Sequence, residues 1–274
     1  MEAILVNKNV LVTGISGRIG KIVCEFLGTK YQIKGLDLVP ASDFETHIAD
    51  LSDLESIKIA FENQDVVVHL GADPNGGAPW DSILKNNIVG TYNVMEASRE
   101  AGVKRIVFAS TNHVVGYIPE TQSPYKEIFE GQLNGLRRPY PLIGTENIRP
   151  CCHYGVGKSL GESLGSLYND KYGISFIAIR IGALVDKQPG WQTRQKGGLS
   201  MWLSHRDAAQ IIERSIDAPN SVGFTIVYGM SGNSLRVHEI ESAKEVLGYL
   251  PKDDAGNEFT CKLHNQPTYL ELAH

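Results

Sequence analysis

The chain is 274 residues long, 42% hydrophobic and 21% charged, with 28 glycines, 4 cysteines and a formal net charge of −5. That length suits one large domain or a large and a small one, and the apolar-to-charged balance excludes a disordered or low-complexity scaffold. The acidic excess excludes a general nucleic-acid binder, because neutralising a phosphate backbone takes a surplus of Lys and Arg. The start, Met1-Glu2-Ala3-Ile4-Leu5-Val6, turns polar at Asn7-Lys8-Asn9 and is too short and too acidic for a signal peptide. The most apolar later stretch, 174–185, carries Arg180 in its middle and falls short of the roughly 20 residues of a membrane span. Residence in the cytoplasm is the expectation.

Residues 9–12 form a β-rich run that stops at a glycine cluster. Ile19, Ile22, Val23, Phe26 and Leu27 then recur with the spacing of one buried helical face. Strands are expected at 32–36, 48–49, 65–70 and 105–110, with helices at 54–61 and 83–101 between them. Strands that are apolar on both faces and separated by helices predict a doubly wound α/β fold, a parallel sheet covered on both sides. Residues 116–150, rich in Pro, Gly and Asn, read as a long loop; a helix over 154–172 and a sixth strand over 175–181 follow. Beyond 182 come a Gly-, Gln- and Trp-rich loop, a helix over 204–217, a strand over 224–228 and a helix over 237–247. The expected division is a dinucleotide-binding unit at 1–181 and a small substrate-binding cap at 182–274, partly interleaved with it.

Gly14-Ile15-Ser16-Gly17-Arg18-Ile19-Gly20 sits between the first strand and the first helix. Glycines at this spacing allow a tight turn and close approach of a pyrophosphate to the helix N-terminus. Asp37, ending the second strand, suits a ribose diol and repels a 2′-phosphate, and no Arg follows in Leu38-Val39-Pro40, so NAD is favoured over NADP. Tyr154 and Lys158 stand four apart on one helix and share a face. An ammonium beside a phenol lowers its pKa, which would make Tyr154 a general base for an alcohol proton. Cys24, Cys151, Cys152 and Cys261 show neither CxxC spacing nor His at zinc-like intervals, so they read as reduced structural thiols and no metal site is expected. The adjacent pair Cys151-Cys152 is the one arrangement with a redox alternative.

These motifs, with Asp50-Leu51, Asn87 in Asn-Ile-Val-Gly-Thr and the strand Ile106-Val107-Phe108-Ala109-Ser110-Thr111, resemble the extended short-chain dehydrogenase/reductases, the NAD-dependent epimerase/dehydratase family, whose sheet is the Rossmann fold. Within it, Ala109-Ser110-Thr111-Asn112-His113-Val114-Val115-Gly116-Tyr117 and Leu199-Ser200-Met201-Trp202-Leu203-Ser204-His205 resemble uronate dehydrogenases and the related archaeal NAD-dependent glucose-6-phosphate dehydrogenases. The resemblance implies a catalytic set of Thr111, Tyr154 and Lys158. It implies NAD contacts from Gly14, Ser16, Gly17, Arg18, Ile19, Gly20 and Asp37, from Asp50 and Leu51 at the adenine, from Gly71 and Ala72 at the pyrophosphate, and from Leu70, Asn87, Ala109, Ser110, Tyr154, Lys158 and Ile181. Asn87 is expected mainly to brace the helix of Tyr154 and Lys158. Asn75, Thr111, Asn112, His113, Tyr154, Gly182 and Ala183 are the implied sugar contacts, the alternative for His113 being a hydrogen-bonded core histidine.

The chain departs from the uronate dehydrogenases at Ala183, where they carry Ser, and at Gly197-Gly198, where their carboxylate-binding Arg lies. Arg194 or Lys196 is the candidate replacement, within a basic stretch that holds Arg180, Lys187 and Arg206; Arg137, Arg138 and Arg149 are further candidates. The resemblance implies NAD-dependent oxidation of C1 of a sugar or sugar acid, such as a uronate or glucose 6-phosphate, to the lactone, by a homo-oligomer joined through the helices of Asn87 and Tyr154. A nucleotide-sugar 4-epimerase and a non-catalytic NAD-binding sensor are the rivals.

Overall fold

A computed structural model describes residues 8–132, 136, 139–185 and 197–255. Seven strands, β1 (Asn9–Thr13), β2 (Gln32–Asp37), β3 (Thr46–Ile48), β4 (Val66–His69), β5 (Arg105–Thr111), β6 (Ser175–Ile181) and β7 (Phe224–Gly229), form one parallel sheet in the order β3-β2-β1-β4-β5-β6-β7. Successive side chains on a strand point to opposite faces, so each inner strand feeds two cores. Val10, Val12, Val66, Val68, Val107, Ile177 and Ile179 pack on one side, under α1 (Arg18–Leu27) and α8 (His205–Ile216). Leu11, Val67, Ile106, Phe108, Phe176 and Ala178 pack on the other, where Ile57, Phe61, Val94, Met95 and Tyr168 meet them. Phe26, expected on the buried face of α1, is 43% exposed, because α1 buries only Gly20, Ile22, Val23 and Leu27.

On the second face, α2 (Leu54–Ile57) runs into a 3₁₀ turn at Lys58–Phe61. The next helix, α3, starts at Trp80–Ser82, winds wider as a π-helix through Ile83–Val89 and continues as Gly90–Ala101. The third, α6 (His153–Tyr172), closes at Gly173 in the left-handed conformation. Gly161 lets α6 lie directly on β5, since a β carbon there would stand 2.5 Å from the Phe108 ring.

Residues 116–150 are not one irregular loop. They include α4 (Tyr117–Thr121) and α5 (Tyr125–Phe129), and Val115, Ile118, Ile128, Phe129 and Ile143 share a third core with Met201, Tyr228, Met230, Leu235, Val237 and Ile240. The short α7 (Gly198–Met201) borders that core. The last helix, α9, is Glu241–Leu247, shorter than expected, because the backbone at 237–239 pairs with Ile143 instead: Ile143 N–H donates to Val237 O (2.8 Å) and Glu239 N–H to Ile143 O (3.2 Å). The sheet and the cap each draw on residues from both sides of position 181. No helix among the described residues is long and apolar enough to cross a membrane.

Arg180, counted in the basic stretch of anion candidates, is instead fully buried in an ion pair with Glu162 of α6. Its Nε and Nη2 donate to the two carboxylate oxygens at 2.8 and 2.9 Å, and Nη1 donates to the Asn147 carbonyl at 3.0 Å. Ser110 of β5 donates to the same carboxylate at 2.6 Å. Removing one partner of such a pair strands a charge away from water, so Glu162→Ala is expected to lower the unfolding free energy by about 3–5 kcal/mol. Denaturant unfolding checks this, and an unchanged midpoint would contradict the pair's role.

Candidate active site

A cleft of about 1220 Å³ opens at the carboxyl ends of the strands, across the point where the sheet order reverses between β1 and β4. Gly14 turns there with φ +71°, and a β carbon on it would stand 2.7 Å from Gly71 N, so only glycine joins the β1 and β4 ends this closely. Gly17 caps α1 with no side-chain hydrogen bond, and the first turn of the helix has no acidic residue. Its N–H groups are thus left to an anion. Both oxygens of Asp37 accept backbone N–H bonds, from Ser16 (2.9 Å) and Leu38 (2.7 Å), which fixes the carboxylate at the cleft edge. Asp50 is held by Lys85 Nζ at 2.9 Å and by the Ser52 N–H at 2.9 Å, and these bonds keep its carboxyl below the usual range. Arg18 donates to the Leu184 carbonyl at 2.7 Å, joining α1 to the segment after β6.

The β4 end is set by a buried histidine that the motifs did not single out. His69 Nδ1 lies 2.7 Å from Thr13 Oγ1 and Nε2 lies 3.1 Å from Thr91 Oγ1, while Thr13 Oγ1 accepts the Gly71 N–H at 3.2 Å. Burial, reinforced by the charge of Lys158, pushes His69 down to about 3, so it stays neutral and works as a brace. The carboxylate edge, the glycine cradle and the open helix terminus fit a dinucleotide.

At the other end, β5 delivers Thr111 into the cleft. Its hydroxyl accepts the His113 N–H and donates to Asn112 Oδ1, both at 3.2 Å. Asn112 Nδ2 donates to Met201 Sδ at 2.8 Å, so the cap holds that amide. One turn apart on α6, Tyr154 and Lys158 face the same cleft. Lys158 is 2% exposed, its Nζ is 4.7 Å from the Phe108 ring centre and 5.9 Å from that of Tyr154, and among the described residues it has no carboxylate partner. Burial pulls it down to about 7. Burial likewise pushes the Tyr154 phenol up to about 12, opposed by the hydroxyl of Thr111. The expected acidification of Tyr154 by a nearby ammonium is therefore corrected: desolvation dominates both groups, and Lys158 lies over Phe108. A buried ammonium without a carboxylate fits ribose hydroxyls, which supply acceptors without a second charge.

Most of the expected residues line this cleft: Gly14, Ser16, Gly17, Arg18, Ile19, Gly20, Asp37, Asp50, Leu51, Leu70, Gly71, Ala72, Ala109, Ser110, Thr111, Asn112, His113, Tyr154, Lys158, Ile181, Gly182 and Ala183. Two do not. Asn87 is buried in the π-helical part of α3, where its Oδ1 accepts the Asp73 N–H (2.8 Å) and its Nδ2 donates to the Asp73 carbonyl (3.0 Å). It clamps the loop after β4 and also packs against α6 at Gly157. Asn75 is exposed, its side chain taken by the Gly77 N–H at 2.9 Å. Arg137, Arg138, Lys187, Arg194 and Lys196 lie outside the described residues. Arg149 is exposed and away from the cleft, and Arg206 pairs with Asp253 at 2.5 Å. Glu120, Phe129, Cys151 and Met201 line the sugar end without having been expected there. The first two were hidden in the supposed loop.

The profile of the NAD dependent epimerase/dehydratase family matches residues 10–195. The chain belongs to that family. Over nearly its whole length it is similar to curated sugar dehydrogenases. An NAD-dependent glucose-6-phosphate dehydrogenase of Haloferax volcanii is 37% identical, over 92% of this chain and 95% of that one. An L-arabinose 1-dehydrogenase (NAD(P)(+)) of the same organism is 32% identical, over 90% and 97%. A solved structure of a mutant uronate dehydrogenase from Agrobacterium tumefaciens complexed with NAD superposes with a TM-score of 0.78 at 31% identity, covering 96% of this chain and 92% of that one.

Lys158 carries a stability cost with a defined pH window. Its ordinary value is 10.5 and its folded value about 7, so between these pH values the unfolded chain binds more protons than the folded one. Stability without cofactor therefore rises with pH across that window, and the full cost is present below it. Lys158→Met is expected to raise the thermal midpoint at neutral pH by several degrees and to remove this slope, and scanning calorimetry at several pH values reads both. A lowered midpoint at neutral pH would contradict the assignment.

Proposed function

We propose that the protein oxidises C1 of a sugar carrying a carboxylate or phosphate, a uronate or glucose 6-phosphate, to the lactone with NAD. The observation that carries this reading is the convergence of Thr111 and Tyr154 at one end of a single cleft whose other end has the glycine turn and Asp37. The hydroxyls of Thr111 and Tyr154 bond the C1 oxygen of the sugar, and Tyr154 Oη takes its proton. NAD, when bound, supplies the acceptor for the C1 hydride. Lys158, buried beside Phe108, would hold the nicotinamide ribose through its hydroxyls. Asn112 and His113 orient the sugar, and the shared core of the cap excludes water from one side of the cleft. Asp37, fixed by two N–H bonds, selects against a 2′-phosphate.

Among the described residues the cleft has only Arg18 and Lys158 as basic groups, and Glu120 lies at its sugar end. We assign the anionic group of the sugar to Arg194 or Lys196, the candidates that the sequence offers first, ahead of Arg137 and Arg138. The outward faces of α3 and α6 expose Leu84, Tyr92, Val156, Leu160 and Leu167, an apolar surface that suits a second copy of the chain, and we assign a homo-oligomer on that basis. The cytoplasm, where Cys24, Cys151 and Cys152 stay free thiols, is the proposed location.

Glucuronate, galacturonate and glucose 6-phosphate supplied with NAD, with NADH absorbance as readout, test the assignment; no turnover with any of them would overturn it. Tyr154→Phe is expected to lower kcat by about 10²–10⁴-fold with NAD binding retained. Because the base has a raised pKa, kcat/KM for oxidation should climb as pH rises from neutral. Alanine at the anion-holding position, Arg194 or Lys196, is expected to raise KM for the anionic sugar about tenfold or more, as loss of a charged hydrogen bond does. Equal KM values for both alanine variants and the parent would move the anion elsewhere.

A further inference from the structure

The helix that carries Tyr154 starts directly after two cysteines, and His113, 38 residues upstream of Cys151, lies against both. His113 Nδ1 is 3.2 Å from Cys151 Sγ and 3.6 Å from Cys152 Sγ, and the ligand atoms of the three all lie within 4.8 Å of one another. Two close approaches bring them together. A β carbon at Gly155 would stand 2.5 Å from the His113 carbonyl oxygen, and one at Gly116 would stand 2.3 Å from Cys151 Sγ. A zinc ion bonded to imidazole nitrogen at about 2.05 Å and to thiolate sulfur at about 2.3 Å in a tetrahedron sets nitrogen and sulfur about 3.6 Å apart. Both observed separations are close to that edge length, so little movement is needed to seat an ion. Thiolate and imidazole donors together select zinc-class cations over magnesium or calcium.

We propose that His113, Cys151 and Cys152 form a binding site for a thiophilic divalent cation of the zinc type, and that its occupation stops sugar turnover. Each thiol releases its proton to solvent and donates a thiolate pair to the cation, His113 donates the Nδ1 lone pair, and no electron is transferred. Three protein ligands leave a fourth position for water. His113 and Cys151 belong to the wall of the cleft, and the His113 ring meets the Tyr154 ring edge-on with centres 5.7 Å apart. A cation there takes His113 from the sugar and stands beside the base. The inhibition rests on the proposed sugar chemistry; the binding does not.

The test uses the full chain, cleared of metal with a chelator and loaded with NAD. Cobalt(II) titration should produce a near-ultraviolet thiolate-to-cobalt charge-transfer band at one equivalent, which zinc abolishes by displacement. Cys152→Ser keeps a better helix cap than cysteine, retains Cys24 and Cys261, and should retain zinc-free turnover. It should bind cobalt about tenfold or more weaker and require correspondingly more zinc for inhibition. Cys151→Ser should weaken the band likewise, and the retained turnover of Cys152→Ser separates lost cobalt binding from a folding defect. No band in the parent protein, or an equal band in both variants, overturns the site. If the parent turns over no sugar, the cobalt band still decides the metal site, so the two failures are told apart.

Discussion

Arg180 and Glu162 meet out of reach of water where α6, β6 and the end of β5 come together, and the end of the cleft that holds Thr111 and Tyr154 takes its geometry from that contact. Tyr154, Lys158 and Glu162 follow one another at four-residue intervals along one face of α6. Fixing Glu162 to Arg180 therefore fixes the rotation and height of the helix, and the bond from Ser110 to the same carboxylate fixes it relative to Thr111, the next residue of β5. Arg180 Nη1 reaches on to the Asn147 carbonyl and the Tyr228 hydroxyl, so the segment before α6 and the edge strand β7 share the same anchor. A bidentate pair is suited to this, because the fork of a guanidinium matches a carboxylate in one orientation.

Around this anchor the protein keeps several ionisable groups in environments that oppose their charge. Lys158 falls to about 7, His69 to about 3, and Tyr154 rises to about 12, in each case chiefly through burial. His69 satisfies both ring nitrogens through threonine hydroxyls and acts as a neutral spacer at the β4 end. Lys158 has no such partner among the described residues, so its cost to folding and its proposed hold on the nicotinamide ribose are two aspects of one placement. Sites of function are where such local conflicts persist.

What could be read from the sequence was what local spacing encodes. The glycine turn at 14–20, Asp37 at a strand end and Tyr154 one turn before Lys158 are statements about neighbours in the chain, and the sheet follows from the apolar runs that surround them. Contacts between distant segments were not legible. Arg180 was grouped with the anion candidates because nothing near it in sequence announces Glu162, and the His113–Cys151–Cys152 cluster joins a turn after β5 to the start of α6. Asn75 and Asn87 carried the right residue type at the right place, yet each amide is claimed by its own loop or by Asp73. The cap was half hidden, since its core takes Ile118, Ile128 and Phe129 from a segment whose Pro and Gly content masked two short helices.

The chemistry assigned to this arrangement is removal of a hydride from C1, and a sugar deuterated at that carbon tests it most directly. Turnover of C1-deuterated glucose 6-phosphate or uronate with NAD should give NADH bearing one deuterium at nicotinamide C4 and a lactone free of deuterium at C1. NADH without deuterium, or a sugar product that still holds its label, would contradict the account.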